Sequence, residues 1–109
     1  MLFIALSSIV FGADLATPNA KATVTVNCPE GYVTCSDVDL ILTQTLSGDI
    51  IRAHGHTVHT KCKDGISPCR FLGYEFESGD IRIRLWVSGV ISIAKKGEGI
   101  IFYERGQWQ

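Results

Sequence analysis

Apolar residues occupy every second position along much of this chain. In residues 81–87, isoleucine, leucine and valine alternate with two arginines and a tryptophan. The segment just upstream repeats the pattern with Leu72, Tyr74 and Phe76. Alternation of this kind places one set of side chains on each face of a β-strand. Further alternating or β-branched runs predict strands at residues 22–27, 50–60, 90–95 and 100–105.

Glycine-containing turns separate these runs. They fall at residues 47–49, 77–80, 88–89 and 96–99, so that strands recur about every ten residues. Strands at such a spacing predict an antiparallel meander that closes into a small barrel or sandwich. We therefore expect an all-β fold of about seven strands with little helix.

Residues 36–46 fit two structures. As a strand, they place Val38 and three leucines, Leu46 being the last, on one face. As a helix, they would begin at Ser36 as the N-cap. The alternation is nearly complete and the threonines favour an extended backbone, so we predict a strand.

The chain opens with an apolar run from Leu2 to Phe11. A run of about ten residues matches the central region of a signal peptide and is too short to span a bilayer. We therefore predict a signal peptide over residues 1–12, with Ala13 as the first mature residue. A buried first strand or helix is the alternative.

The rest of the chain is short enough for one domain only. Residues 13–21 are polar, include Pro18 and predict a flexible lead-in. Residues 22–109 then form the β domain. A domain of this size buries only about 60–65% of the surface that its unfolded chain exposes, so cross-links are a common source of added stability.

Four cysteines form two identically spaced pairs, Cys28-x6-Cys35 and Cys62-x6-Cys69. Four cysteines allow three pairings, and sequence alone does not select one. Each pair brackets a short loop that contains glycine and proline, so we favour the two local bonds. Zinc-binding pairs typically enclose about two to four residues and redox pairs about two, so a gap of six fits neither. Structural disulfides predict a secreted or periplasmic protein.

Charge excludes one class of partner. Ten basic and eleven acidic side chains give a net charge of −1 and are spread along the sequence without a basic block. Electrostatic capture of nucleic acid or of an anionic membrane requires clustered lysine or arginine. We therefore expect no nucleic-acid binding, and no later segment is apolar enough to predict a membrane span after signal removal.

Three histidines lie close together in the segment 54–59. In a strand, His54 and His56 point to the same side and could share a metal ion if a third ligand came from another strand. Gly55 predicts a bulge or a close backbone approach, and only a bulge there would re-aim His59, which otherwise points away. Solvent-facing polar residues are the alternative interpretation.

The polar face of residues 81–87 combines arginine with tryptophan, side chains that are enriched at protein interfaces. A solvated sheet face with Trp86 beneath a loop is the alternative. We predict a partner-binding surface made of Ser78, Gly79, Asp80, Arg82, Arg84 and Trp86. Trp108 is predicted to cap an open end of the core.

Catalytic patterns are weak. The sequence contains no G-x-S-x-G motif, and the cysteines are predicted to be oxidised. Glu75 and Glu77 share a strand face, whereas acid–base catalysis usually places two carboxyls in different environments across a cleft. We therefore expect a protein that is not an enzyme.

The segment Ser78-Gly79-Asp80-Ile81-Arg82 resembles the Ser-Gly-x-x-Tyr loop of the small periplasmic lysozyme inhibitors, with arginine in the place of the tyrosine. The outline of an exported, short, disulfide-bonded β-meander is also similar. In that family the loop plugs the catalytic cleft of the target. The resemblance implies an inhibitor that acts on a protein partner.

We therefore expect a secreted or periplasmic, non-catalytic module that binds a protein partner and needs no cofactor, such as an inhibitor or an immunity-type protein. A metal-binding envelope protein that uses His54, His56 and His59 is one alternative. An exported structural protein without a discrete ligand is another.

Overall fold

The alternating segments form β-strands in the computed structural model, which describes residues 11–29 and 31–109. These residues form no helix. The predicted signal peptide lies outside the described residues, except for Phe11 and Gly12 at the start of the first strand. The strands are β1 Phe11–Thr17, β2 Ala20–Val26, β3 Val38–Gln44, β4 Ile50–Lys61, β5 Pro68–Ser78, β6 Ile81–Trp86, β7 Val90–Lys95, β8 Gly99–Arg105 and β9 Gln107–Trp108.

The nine strands make one antiparallel sheet that is nearly closed into a barrel. Each strand from β1 to β8 pairs with the next, and β9 returns to pair with β1. Connections of such a meander alternate between its two ends. The β2–β3, β4–β5 and β6–β7 connections form one end, which we call the disulfide end. The β1–β2, β3–β4, β5–β6 and β7–β8 connections form the opposite, turn end. The strands are staggered at the seam, so that the β8–β9 junction lies beside the β1–β2 turn.

Inward-facing side chains fill the barrel. Alternate residues of β2, β3, β6 and β7 are buried, as the hydrophobic period predicts. The sequence pattern predicts that Leu46 and Val87 continue these rows. They do not, because β3 ends at Gln44 and β6 ends at Trp86. The largest fully buried side chains are Phe76, Leu15, Leu40, Leu42, Ile83, Leu85, Ile91, Ile93, Val24 and Val38.

The observed strands bear on three sequence-based predictions about secondary structure. The prediction of a strand over residues 36–46 is confirmed by β3. The estimate of about seven strands is too low, because β1 and β9 complete the sheet. A flexible lead-in at residues 13–21 is wrong, because this segment forms most of a hairpin in which Leu15 is fully buried.

The polar appearance of that hairpin has a simple cause. Asp14 and Lys21 face outward and form an ion pair with 3.7 Å between Oδ2 and Nζ. Pro18 and Asn19 occupy the tight turn between β1 and β2, where such residues are common. The outward charges and the turn residues therefore make this segment polar in sequence, although the inner face of its strand is apolar.

Both predicted disulfides are present. Cys28 bonds to Cys35 and Cys62 bonds to Cys69, so all four cysteines are paired. The first bond closes the loop between β2 and β3, and the second closes the tip of the β4–β5 hairpin. No helix that is long and apolar enough to cross a membrane occurs in the part of the chain that the structure describes.

Gly55 and Gly106 are two of the glycines that lie where the backbone of another segment leaves no room for a side chain. A Cβ at Gly55 would lie 1.8 Å from the carbonyl oxygen of Glu75, and one at Gly106 would lie 1.8 Å from that of Ala16. The close backbone approach predicted at Gly55 is confirmed, while the register shift of β4 comes later, at Val58–His59.

A side chain closes the remaining seam between β8 and the β1–β2 turn. The Glu104 carboxylate accepts hydrogen bonds from Thr17 Oγ1 at 2.7 Å, from Asn19 Nδ2 at 2.6 Å and from the Asn19 backbone amide at 3.0 Å. Together, the bond from Thr17, which is the largest cause, and those from Asn19 hold the pKa of Glu104 below its ordinary value of 4.5.

Replacement of Gly55 tests the close strand approach. Gly55→Ala must displace the backbone of β5, so we expect it to lower the free energy of unfolding by about 2 kcal/mol or more. Gly12→Ala is the matched control, because its Cβ would make an ordinary 3.5 Å contact with the Val24 carbonyl oxygen. Denaturant unfolding gives the free energy of unfolding of both variants, in a chain that retains residue 12. Equal stability of the two variants would contradict the proposed crowding at Gly55.

Replacement of Glu104 tests the seam. Glu104→Gln removes a charged acceptor that serves several donors. We expect it to lower the free energy of unfolding by about 1–2 kcal/mol at pH 7. Because the folded pKa of Glu104 is lowered, its contribution is complete above the unfolded pKa and is lost as pH falls through the folded pKa.

The difference in Tm between the wild type and Glu104→Gln should therefore shrink when the pH is lowered from 7 to about 3. Asp49→Asn changes an exposed carboxylate in the β3–β4 turn and serves as the control. A difference that stays constant with pH would show that the Glu104 charge does not stabilise the seam.

Candidate functional site

The structure brings the predicted partner-binding residues onto one strip along β6. Arg82 and Arg84 lie on its outer face, since Ile83 and Leu85, which alternate with them, are fully buried. The Ser78–Gly79–Asp80 turn precedes the strip at the turn end, and Trp86 ends it at the disulfide end. The alternation therefore predicted the shared face of these residues correctly.

Trp86 is half-buried and lies opposite Gly73 of β5. Its carbonyl oxygen accepts a hydrogen bond from the Trp108 indole Nε1 at 3.1 Å. Trp108 packs against the core and makes an edge contact with Tyr74, with ring centroids 6.1 Å apart. The two tryptophans therefore help to close the disulfide end.

The arginines of the strip are already paired with glutamates of β5. Arg82 Nε lies 3.1 Å from Glu75 Oε2, and its Nη2 lies 3.3 Å from Glu77 Oε2. Arg84 Nε lies 3.8 Å from Glu75 Oε1. The register sets these contacts, because Glu77 faces Arg82 and Glu75 faces Arg84 across the two strands. The strip presents mixed charge rather than free positive charge.

The histidines extend this polar ladder to β4. His54 lies opposite Glu77, and His56 lies opposite Glu75. His54 Nε2 is 2.9 Å from Asp37 Oδ1. This hydrogen bond, followed by one from Asn27, lowers the pKa of Asp37.

His59 does not join the other two histidines. After the register shift of β4 it packs against the Phe71 ring, with centroids 5.5 Å apart. Within the described residues, no group of three or more His, Cys, Asp or Glu side chains is arranged to hold a metal ion. Among these residues, no third ligand is therefore placed beside His54 and His56.

An apolar cluster lies on the same side of the sheet, on β8. Ile100, Ile101 and Tyr103 are 63%, 50% and 61% exposed. The register shift of the β7–β8 pair makes Ile101 an extra residue beside Ile100. Both isoleucines therefore reach solvent, although regular alternation would bury one of them.

Small side chains separate this cluster from the arginines. Ser92 of β7 lies between Arg84 and Tyr103, and Ala94 lies between Arg82 and Ile100. We call the whole surface the β6–β8 face. Its residues are Arg82 and Arg84 of β6, Ser92 and Ala94 of β7, and Ile100, Ile101 and Tyr103 of β8.

Sequence reasoning missed the apolar part of this face. The signal was present, because residues 100–103 are apolar at all four positions instead of at every second one. A strand with both faces apolar either is buried on both sides or exposes one apolar side. Here β8 borders the barrel seam, and its outer side is open.

The predicted Ser78–Asp80 turn also contacts the β7–β8 turn. The Asp80 carbonyl accepts a hydrogen bond from the Lys96 amide at 2.9 Å, which joins the β5–β6 and β7–β8 turns. A shallow depression of about 440 Å³ lies between them and is lined by both acidic and basic side chains. The turn is thus one wall of a mixed-charge depression next to the β6–β8 face.

No protein-family model matches this chain, and neither a curated protein nor a solved structure does. Its surface chemistry is therefore the basis for a functional inference. Arginine, tyrosine and isoleucine side chains around a floor of small residues are the kind of surface on which a few side chains dominate protein association.

The pairing of Glu75 with both arginines is testable. Its side chain is only 18% exposed, so Glu75→Gln leaves two arginines without their shared partner. We expect a loss of about 1 kcal/mol in the free energy of unfolding at low ionic strength, and a smaller loss at high salt.

Glu98→Gln is the control for that measurement. Glu98 forms an exposed pair with Lys95, and such pairs contribute little to stability. A Glu75→Gln variant that is no less stable than Glu98→Gln would contradict the role given to Glu75.

Proposed function

We propose that this chain is a small exported binding module that acts on a protein partner through its β6–β8 face and performs no catalysis. The observation that carries the proposal is the exposed cluster of Ile100, Ile101 and Tyr103 beside the ordered arginines. Contiguous apolar surface on a small protein commonly marks an interaction site.

The ordering of the arginines favours such a role. Arg82 is held by Glu75 and Glu77, so its side chain loses little further freedom when a partner binds. Because these charges are balanced within the face, the contact would depend on apolar burial and on directed hydrogen bonds more than on net charge. An inhibitor or immunity-type role, as the resemblance of the Ser78–Asp80 turn implies, is the finer form of this proposal.

The disulfides support only the part of this proposal that concerns export. Two disulfides are compatible with the extracellular space or the periplasm.

Substitution of the apolar cluster tests the proposal. Arginine reversal is a poor choice, since it would place new carboxylates beside Glu75 and Glu77. We expect Ile101→Ser with Tyr103→Ser to abolish a site-specific photo-crosslink formed by a crosslinking residue at position 92 in cell-envelope preparations. Both side chains are exposed, so the Tm should change by no more than about 3 °C.

Leu46→Ser is the matched control. Leu46 is 85% exposed and lies in the β3–β4 turn, between two strands that do not pair with β8. The substitution also removes exposed apolar surface and should leave the crosslink intact. Crosslinking that persists in the Ile101/Tyr103 variant, or that is lost equally in the Leu46 variant, would refute the assignment of the face.

A further inference from the structure

An aromatic crevice opens at the disulfide end, away from the β6–β8 face. It has a volume of about 250 Å³ and lies between the β2–β3 loop and the β4–β5 hairpin. Phe71 makes edge contacts with His59 and Tyr74, with ring centroids 5.5 and 5.2 Å apart. The principal lining residues are Val26, Cys28, Tyr32, His59, Phe71 and Tyr74.

The walls of this crevice are fixed by covalent and hydrogen bonds. The Cys28–Cys35 disulfide closes the β2–β3 loop. The Thr57 amide donates to the Cys35 carbonyl at 2.9 Å, and the Cys35 amide donates to Thr57 Oγ1 at 3.0 Å. The loop is thus attached to β4 by bonds in both directions, and the crevice is pre-organised for a ligand.

The volume indicates what the crevice can accept. Sites for small molecules and cofactors usually span about 300–1,000 Å³, so about 250 Å³ fits one large side chain better than a whole cofactor. Tyr32 and Val33 are 67% and 65% exposed at the rim, which extends the apolar surface beyond the crevice. A protruding aromatic side chain from another protein matches these dimensions.

Basic side chains next to the crevice indicate which residues would flank the bound aromatic side chain. Lys61, Lys63 and Arg70 lie on the β4–β5 hairpin, and none of them forms an ion pair with a described residue. Asp64 is the single carboxylate of residues 61–70. It accepts hydrogen bonds from Ser67 and from the Ile66 amide, which lower its pKa to about 2. Residues 61–70 therefore carry three basic side chains and one carboxylate, whereas the whole chain has a net charge of −1.

We propose that the disulfide end binds an acidic segment of a partner protein, with one aromatic side chain of that segment in the crevice. Carboxylates on either side of the aromatic residue then face Lys61, Lys63 and Arg70. Apolar burial supplies the anchor, and charge complementarity selects an acidic sequence over a basic one. This site is separate from the β6–β8 face, and its test does not depend on that proposal.

Binding of a defined peptide tests the inference. The probe is a fluorescein-labelled peptide with one phenylalanine between two pairs of glutamates, followed by anisotropy at low ionic strength. We expect saturable binding with Kd below about 1 mM. Replacement of the phenylalanine by alanine, or of the glutamates by lysines, should remove it.

Variants of the protein locate the site. Lys61→Glu with Arg70→Glu should weaken peptide binding at least about tenfold, as should high salt. Arg52→Glu with Lys96→Glu makes the same change of charge nearer the turn end and should leave the Kd within about twofold. Tyr32→Ser should weaken binding without changing the Tm, since Tyr32 is mostly exposed.

Amide chemical shifts identify the binding surface directly. We expect the peptide to shift the resonances of Thr57 and Phe71 and to leave those of β8 unchanged. The inference is overturned by absence of saturable binding, by equal affinity for the lysine peptide, or by equal weakening in the control pair. It is also overturned if sedimentation shows a dimer that Tyr32→Ser dissociates, because a second copy of this chain would then occupy the crevice.

Discussion

The barrel depends on the seam at which its last strand meets its first. Gly106 allows the chain to pass against the Ala16 carbonyl, β9 then pairs with β1, and Glu104 bonds to the β1–β2 turn. Leu15, which faces Trp108 in this pairing, is fully buried as a result. Without the seam, the sheet would have two open edges and an incompletely covered core. A few residues near the C-terminus therefore stabilise contacts made along the whole chain.

Much of the fold could be predicted from local pattern, because a period of two identifies both a strand and its inner face. Val38, Leu40 and Leu42 face the core for this reason. The seam could not be predicted in this way. β9 is two residues long, and the Glu104 bonds join positions 85 and 87 residues apart in sequence. Such contacts leave no local periodicity, which is why the sequence pattern predicts too few strands and a lead-in at residues 13–21.

The candidate site was partly predictable for the same reason. Alternation placed Arg82, Arg84 and Trp86 on one face, but it does not reveal which residues lie opposite them. The register supplies Glu75 and Glu77 as partners, and it converts an apparently basic strip into a balanced one. The register shift in β8 then exposes Ile101, so that apolar residues become the distinctive feature of the β6–β8 face. Pairing across strands determined the chemistry of this surface.

The placement of both disulfides at one end also has a physical reason. Connections at the turn end are short and bonded to neighbouring strands, whereas residues 27–37 and 62–67 form longer connections outside the sheet. A disulfide that closes so short a loop stabilises the fold by roughly 2–3 kcal/mol in the chain-entropy model. It also limits the motion of loops that expose Tyr32, Val33 and Ile66. Apolar side chains on a constrained loop lose less conformational entropy on binding than those on a free loop, so the cross-links would favour the binding proposed at the end that they stabilise.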